Sequence, residues 1–220
     1  AIRATPKWCL VARDAFNGCE LWRRPLKEWD KEKLGPVKII PVQLQRLLVA
    51  VSNTVYCTDG YDGPVTGFDG AAGHVLTTFT GTENTREIAH ANGMIYGIKG
   101  PPYAFGIRGR RTKMEDMNIG HVTLYARDAG NGSSRWEATI KGSKGGTEGY
   151  IGGTLSIKGD HLTYITRTQL VCRNSKTGNE LWRRDYPFWA DMPRKGTNVL
   201  TYHTSPPTVV MTDERLFVVE

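Results

Sequence analysis

The stretch that decides the fold is Ala12-Arg13-Asp14-Ala15-Phe16-Asn17-Gly18-Cys19-Glu20-Leu21-Trp22. Residues 126–136 and 172–182 can be written over it, and both of these stretches also end in tryptophan. Residues 67–77 keep the aspartate and the glycine but end in threonine. The four shared glycines are separated by 55, 59 and 46 residues. Such spacings are typical of one structural unit that is repeated with loops of variable length.

The repeated unit predicts a β-hairpin that is not stable in isolation. An apolar run ends at Asp14 or its counterpart, whose side-chain oxygen can accept hydrogen bonds from backbone N–H groups of the turn. The glycine four residues later supplies the positive φ that a bulged hairpin needs. One hairpin cannot bury the tryptophan that follows, so a neighbouring unit must cover it. The structural residues predicted for the repeat are Asp14, Gly18, Trp22, Asp69, Gly73, Asp128, Gly132, Trp136, Gly178 and Trp182.

A second kind of hairpin alternates with the first. Asn92-Gly93 between two apolar runs is the strongest short hairpin signal in the chain. Similar pairs of short apolar runs occur three more times, so each unit has four strands with the aspartate-to-tryptophan hairpin on the outside. The paired runs are 47–51 with 54–57, 87–90 with 94–98, 155–157 with 161–165, and 208–211 with 215–219.

This pattern predicts an all-β fold, a β-propeller of four-stranded antiparallel blades, as a single region over residues 1–220. Its parts are a half blade at 8–25, blades at 44–80, 85–140 and 150–185, and a half blade at 207–220. The two halves either belong to a longer propeller or pair to close a ring of four blades. The open strand edge that residues 217–220 would leave favours the longer propeller.

The pattern Ala-x-Asp-Ala-x-x-Gly-x-x-x-Trp resembles the tryptophan-docking repeat of the quinoprotein dehydrogenase superfamily, whose propellers are PQQ-like and WD40-like. Residues 13–22, 127–136 and 173–182 carry the match, and residues 68–77 carry it less well. The resemblance implies that each repeat tryptophan docks against the neighbouring blade and that Thr77 weakens one such contact. It also implies a periplasmic or other extracytoplasmic location.

Composition excludes several classes of function. No run of apolar residues is long enough for a membrane helix, and residues 1–7 lack the apolar core of a signal peptide. The four cysteines, Cys9, Cys19, Cys57 and Cys172, form no CxxC motif. We therefore expect no metal site at them but small buried side chains, with a Cys9–Cys19 disulfide as the alternative.

The favoured function is a non-catalytic binding or scaffolding module with a protein partner, or with the remaining blades of the same propeller. The two longest irregular segments are about 99–120 and 185–206, and they combine aromatic and basic residues, which are enriched at binding hot spots. The alternative is that both loops pack on their own propeller. We attribute the net charge of +7 to basic side chains that lie in solvated loops and at strand ends. Nucleic acid is therefore not expected as a partner. The candidate partner-binding residues are Tyr103, Arg108, Arg110, Arg111, Phe188 and Trp189.

An enzymatic function is the alternative. The resemblance implies, as this alternative, part of a PQQ-dependent quinoprotein dehydrogenase that holds PQQ and calcium. A further alternative is the propeller portion of a multidomain enzyme. No adjacent cysteines, GxSxG or HExxH motif is present, and Asp59-Gly60-Tyr61-Asp62-Gly63 lacks the later acidic ligand of a calcium loop. We therefore predict no catalytic residue, metal ligand or cofactor for this chain.

Overall fold

The structure is a computed structural model that describes residues 9–26, 46–60, 62–100, 121–142, 149–166, 168–186 and 207–219. In these ranges the chain consists of short strands joined by turns. No helix in them has the length and apolar character needed to cross a membrane.

The strands follow the alternation of apolar runs and turn residues. The first eight are β1 Cys9–Arg13, β2 Glu20–Pro25, β3 Leu48–Val51, β4 Thr54–Thr58, β5 Val65–Asp69, β6 Val75–Phe79, β7 Thr85–Ala91 and β8 Met94–Lys99. The next eight are β9 Val122–Asp128, β10 Ser134–Ile140, β11 Ser156–Lys158, β12 His161–Ile165, β13 Gln169–Asn174, β14 Glu180–Asp185, β15 Thr208–Met211 and β16 Leu216–Val219.

These strands form three four-stranded antiparallel sheets, which we call sheet I (β3–β6), sheet II (β7–β10) and sheet III (β11–β14). The hairpins β1–β2 and β15–β16 form separate two-stranded sheets. The all-β fold with four-stranded blades, three complete and two half, is therefore confirmed. The first and last hairpins do not pair with each other, so the closed ring of four blades is wrong for the described residues.

Neighbouring sheets pack face to face through apolar side chains. Tyr96 and Leu124 of sheet II share one core with Leu162 and Tyr164 of sheet III. A second core joins sheet I to sheet II. The first strand of each sheet touches the first strand of the next, since β3 contacts β7 and β7 contacts β11. This arrangement places the first strands on the inner side and leaves β6, β10 and β14 outermost.

The turn of each outer hairpin has the same geometry in all four copies. In the first copy, Oδ1 of Asp14 accepts hydrogen bonds from the backbone N–H groups of Phe16 at 2.9 Å and Asn17 at 3.0 Å. Gly18 closes the turn with a φ of 73°. A shift in strand register at the end of the first strand accompanies every copy. Because the backbone N–H groups of the turn are hydrogen-bonded by the turn's own aspartate or asparagine, the turn has a fixed conformation that the neighbouring blade can contact.

The four cysteines carry free thiols in the described structure. Cys9 lies opposite Pro25 in the β1–β2 pairing and not opposite Cys19, so the alternative of a Cys9–Cys19 disulfide is wrong. Cys57 and Cys172 are buried, and Cys19 is exposed. Burial raises the pKa of the Cys57 thiol to about 12.

Thiol labelling should separate these cysteines. With a disulfide reagent on the native protein, we expect rapid reaction at Cys19 and none at Cys57 or Cys172 until the protein is unfolded, because only an accessible thiolate reacts. Mass spectrometry of the labelled peptides measures the order of reaction, and Cys19→Ser should lose the rapid phase. Rapid labelling of native Cys57 would contradict the buried position of β4.

Candidate functional site at the contacts between blades

The first contact between blades is made by Trp22 of the β1–β2 hairpin. Its indole N–H donates a hydrogen bond of 2.9 Å to the backbone carbonyl of Gly70 in the sheet I turn. The ring lies on Gly73, where a methyl group would be 2.7 Å from Cδ2 of the indole. A side chain at position 73 would therefore push the ring away, and the same glycine has a φ of 72°.

Trp136 repeats this contact between sheets II and III. Its N–H donates to the carbonyl of Ser175 at 2.9 Å. A methyl group at Gly178 would lie 2.6 Å from Cε3 of the indole. The centre of the Tyr96 ring lies 6.1 Å from the centre of the Trp136 ring, and the two ring planes are tilted by 50°. Each of these two tryptophans thus joins its own blade to the aspartate or asparagine turn of the next one.

Trp182 occupies the same position on β14 and is half-buried. In a closed ring of four blades its ring would lie on Gly18, as Trp22 lies on Gly73. A methyl group at Gly18 would meet no atom within 4 Å. The structure therefore does not bring Trp182 and Gly18 together.

Thr77 makes the corresponding contact between sheets I and II, and that contact is loose. Its hydroxyl donates to the carbonyl of Gly130 at 3.4 Å. The nearest atom to a methyl group at Gly132 would be Cγ2 of Thr77 at 3.5 Å, an ordinary van der Waals distance. An open cleft of about 190 Å³ remains, and its lining residues are Thr54, Tyr56, Gly67, Leu76, Thr77, Ala129 and Gly130.

The most deeply buried acid of the described chain is Glu87 on β7, whose side chain is 1% exposed. Its Oε1 accepts hydrogen bonds from Arg46 at 2.9 Å and from the backbone N–H of Leu155 at 3.2 Å. Its Oε2 accepts from the Tyr150 hydroxyl and from the backbone N–H of Gly153, the latter at 2.8 Å. A carboxylate has about four lone-pair positions, and four donors fill them here.

The donors to Glu87 come from the segments that precede the two neighbouring sheets, I and III. Arg46 precedes β3 of sheet I and also donates to the carbonyl of Leu155 at 3.1 Å. Tyr150 and Gly153 precede β11 of sheet III. Burial raises the pKa of Glu87, and the bonds from Tyr150 and Arg46 act in the opposite direction. Burial and the neighbouring carboxylate raise the pKa of Tyr150. The cluster ties the inner strands of sheets I, II and III together.

Sequence reasoning treated Glu87 only as the first residue of a strand. The available signal was an acidic residue in a strand, from Thr85 to Ala91, whose other residues are small or apolar apart from Arg86 and His90. Its donors lie 41 to 68 residues away in the chain, so no local pattern could have identified them.

A calcium ion beside PQQ needs several oxygen ligands close together. Within the described ranges, no group of three or more His, Cys, Asp or Glu side chains is placed to hold a metal ion. Glu87 lies near the inner strands, but its oxygens are already engaged by four donors. What this arrangement can do chemically is hold blades together.

The arginines at the strand ends divide into two kinds. Arg23 and Arg183 are exposed and pair with Glu20 and Glu180, three residues earlier on the same strand. Arg24 is half-buried, and its guanidinium lies 4.9 Å from the centre of the Phe68 ring of sheet I. Arg24 is therefore an exception to the prediction that strand-end charges are solvated, because the packing of the hairpin on sheet I partly covers it.

The residues predicted to bind a partner fall outside the described ranges. They are Tyr103, Arg108, Arg110, Arg111, Phe188 and Trp189. Their role stays a prediction from the sequence.

Two equivalent glycines provide a matched test of indole docking. Gly132 and Gly178 have the same φ of 74°, but only Gly178 lies under a tryptophan. We expect Gly132→Ala to cost about 1 kcal/mol for the left-handed conformation. Gly178→Ala should cost about 3 kcal/mol because overpacking against Trp136 is added. Urea denaturation measures both values, and equal losses would contradict the docking contact.

The Glu87 cluster makes a second prediction about stability. Glu87→Gln should lower the free energy of unfolding by about 2 kcal/mol, because either orientation of the amide leaves at least one donor without an acceptor. Glu20→Gln is the control, since it removes an exposed ion pair and should leave the urea midpoint close to that of the wild type. Equal midpoints for the wild type and Glu87→Gln would show that the cluster does not hold the blades.

Three solved structures illustrate the similarity of this chain to known proteins. BamB from Moraxella catarrhalis has a TM-score of 0.52 and 12% identity, over 96% of this chain and 57% of that one. A europium-containing methanol dehydrogenase has a TM-score of 0.42 and 18% identity, over 63% of this chain and 24% of that one. The quinohemoprotein alcohol dehydrogenase from Comamonas testosteroni has a TM-score of 0.40 and 16% identity, over 64% and 20%. The chain thus spans less than two thirds of each of these proteins.

No curated protein sequence is significantly similar to this chain. A family model described as outer membrane protein assembly factor BamB matches residues 4–215, which is nearly the whole chain. The match covers the first fifteen described strands and ends just before β16. The chain is therefore a PQQ-like β-propeller repeat protein of the family described as outer membrane protein assembly factor BamB.

Proposed function

We propose that this chain is a non-catalytic binding or scaffolding module that holds another protein. The observation that carries the proposal is that four hydrogen-bond donors already engage the buried Glu87 carboxylate. A buried acid in an enzyme site needs a lone pair or a proton available for substrate, whereas this carboxylate of sheet II is occupied by donors from sheets I and III. Its role is to keep the blades in fixed positions.

A propeller whose blades are locked in this way presents its loops on a rigid frame. Binding residues are often found on loops that a rigid scaffold positions. The family description, an outer membrane protein assembly factor, supports a protein partner and an extracytoplasmic setting. Candidate contact residues are the aromatic and basic side chains of the two long loops, among them Arg110 and Trp189.

Titration with PQQ and calcium separates this proposal from the quinoprotein alternative. We expect no saturable change in tryptophan fluorescence, because the described acids offer no ligand set for the ion. Isothermal titration calorimetry provides an independent readout. Saturable binding by either method, with loss after removal of calcium by a chelator, would favour the quinoprotein function.

Capture of a partner tests the binding function directly. The purified chain is cross-linked in an envelope extract, and the captured polypeptide is identified by mass spectrometry. We expect one specific polypeptide whose capture falls by about tenfold in the double variant Arg110→Ala, Trp189→Ala, since aromatic and arginine side chains dominate hot spots.

The control for this capture is Arg184→Ala, which removes an exposed charge at the end of β14 and leaves the loops unchanged. It should capture the same polypeptide as the wild type. The proposal fails if no specific polypeptide is captured, and the assignment of the two loops fails if the double variant captures it equally well.

A further inference from the structure

The contact between sheets I and II lacks the indole that fills both neighbouring contacts. Thr77 lies opposite Gly67 in the β5–β6 pairing, as Trp136 lies opposite Ala126 and Trp22 opposite Ala12. The three positions are therefore structurally equivalent. The cleft left beside Thr77 measures about 190 Å³. An apolar cavity of about 150 Å³ is already large enough to take up benzene.

The cleft also offers hydrogen-bond acceptors that are poorly satisfied. At the two filled contacts an indole N–H reaches a turn carbonyl at 2.9 Å. At this contact the Tyr56 hydroxyl approaches the carbonyl of Ala129 only to 3.4 Å, and Thr77 approaches that of Gly130 to the same distance. Good O–H···O hydrogen bonds are about 2.5–3.0 Å long. An N–H donor that enters the cleft would therefore find an available acceptor.

The strand that borders the cleft differs from the other outermost strands. Outermost strands commonly carry charged side chains that prevent another strand from pairing with the edge. In β2, β10 and β14 this role falls to residues such as Arg23, Arg135 and Arg183. The sequence of β6 is Val-Leu-Thr-Thr-Phe, with no charge, and Val75 and Leu76 are 41% and 48% exposed.

The β6 edge is available for pairing in the described structure. β6 pairs with β5 and lies at the end of sheet I. An extended peptide can add to such an edge by main-chain hydrogen bonds, with its alternate side chains entering neighbouring pockets. An apolar peptide suits this edge, because β6 offers no charge to pair with a charged one.

We propose that the cleft beside Thr77 binds a tryptophan side chain of an extended peptide segment of a partner protein. The peptide adds to the β6 edge, and its indole takes the place that Trp22 and Trp136 fill at the neighbouring contacts. The indole N–H donates to the carbonyl of Ala129 or Gly130. This inference rests on the proposed binding function and gives it a site and a partner chemistry.

Substitution of Thr77 tests the site. The probe is a capped peptide of five residues, Val-Thr-Trp-Thr-Val, titrated into the whole chain by calorimetry. Thr77→Trp should fill the cleft from within and weaken peptide binding by about tenfold or more. Thr78→Trp is the matched control, because residue 78 is exposed on the opposite face of the same strand. It should bind the peptide with the affinity of the wild type.

A second measurement does not depend on the folding of any variant. N-acetyltryptophanamide is added to the isotopically labelled wild-type chain, and backbone amide signals are followed by NMR. We expect saturable shifts at Thr77 and Gly130, with smaller ones at the equivalent filled turn around Ser175. The peptide with phenylalanine in place of tryptophan should bind more weakly, because it lacks the N–H donor.

The proposal is overturned if the wild type binds neither probe, or if Thr77→Trp binds the peptide as well as the wild type does. These results differ from a failure of the proposed function. Loss of the site with continued capture of a specific partner would leave the binding function intact and place its contacts elsewhere. Absence of any captured partner would remove the function itself.

Discussion

The docking of an indole ring onto a glycine of the next blade is the contact on which the fold depends. A single aspartate-to-tryptophan hairpin would leave the ring in water, so the hairpin is stable only beside a neighbour that covers the ring. Glycine is required at this position for two reasons: it adopts a positive φ, and its lack of a side chain leaves room for the ring. At Gly178, a methyl group would approach the Trp136 ring to 2.6 Å. Repetition of the unit follows from this constraint.

A second constraint acts at the inner strands, where apolar packing alone would permit sheets to slide. Glu87 prevents this by binding donors from sheets I and III at once. Removing a carboxylate from water is costly, and four hydrogen bonds with one ion pair offset that cost. Apolar contacts thus supply most of the adhesion between blades, and the polar cluster specifies their relative positions.

The contact at Thr77 shows what happens when the docking ring is missing. Phe79 and Tyr56 belong to the apolar core between sheets I and II. The cleft beside Thr77 stays open, with carbonyls that receive only long hydrogen bonds. The interface between sheets I and II is therefore less tightly packed than the other two. It exposes a cleft and backbone carbonyls equivalent to those that hold an indole ring at the Trp22 and Trp136 contacts.

The sequence by itself determined the all-β class, the four-stranded blades and the tryptophan contacts at residues 22 and 136. These features rest on side chains and turns within a few residues of one another, so a local pattern reveals them. Only the tertiary structure decided the partners of Glu87, the cleft beside Thr77, the contact of Arg24 with Phe68, and the separation of the two end hairpins. Those contacts join distant parts of the chain, as Arg46 and Leu155 do across 109 residues. Residues so far apart meet only because the blades stack, and no local pattern encodes the angle at which they do so.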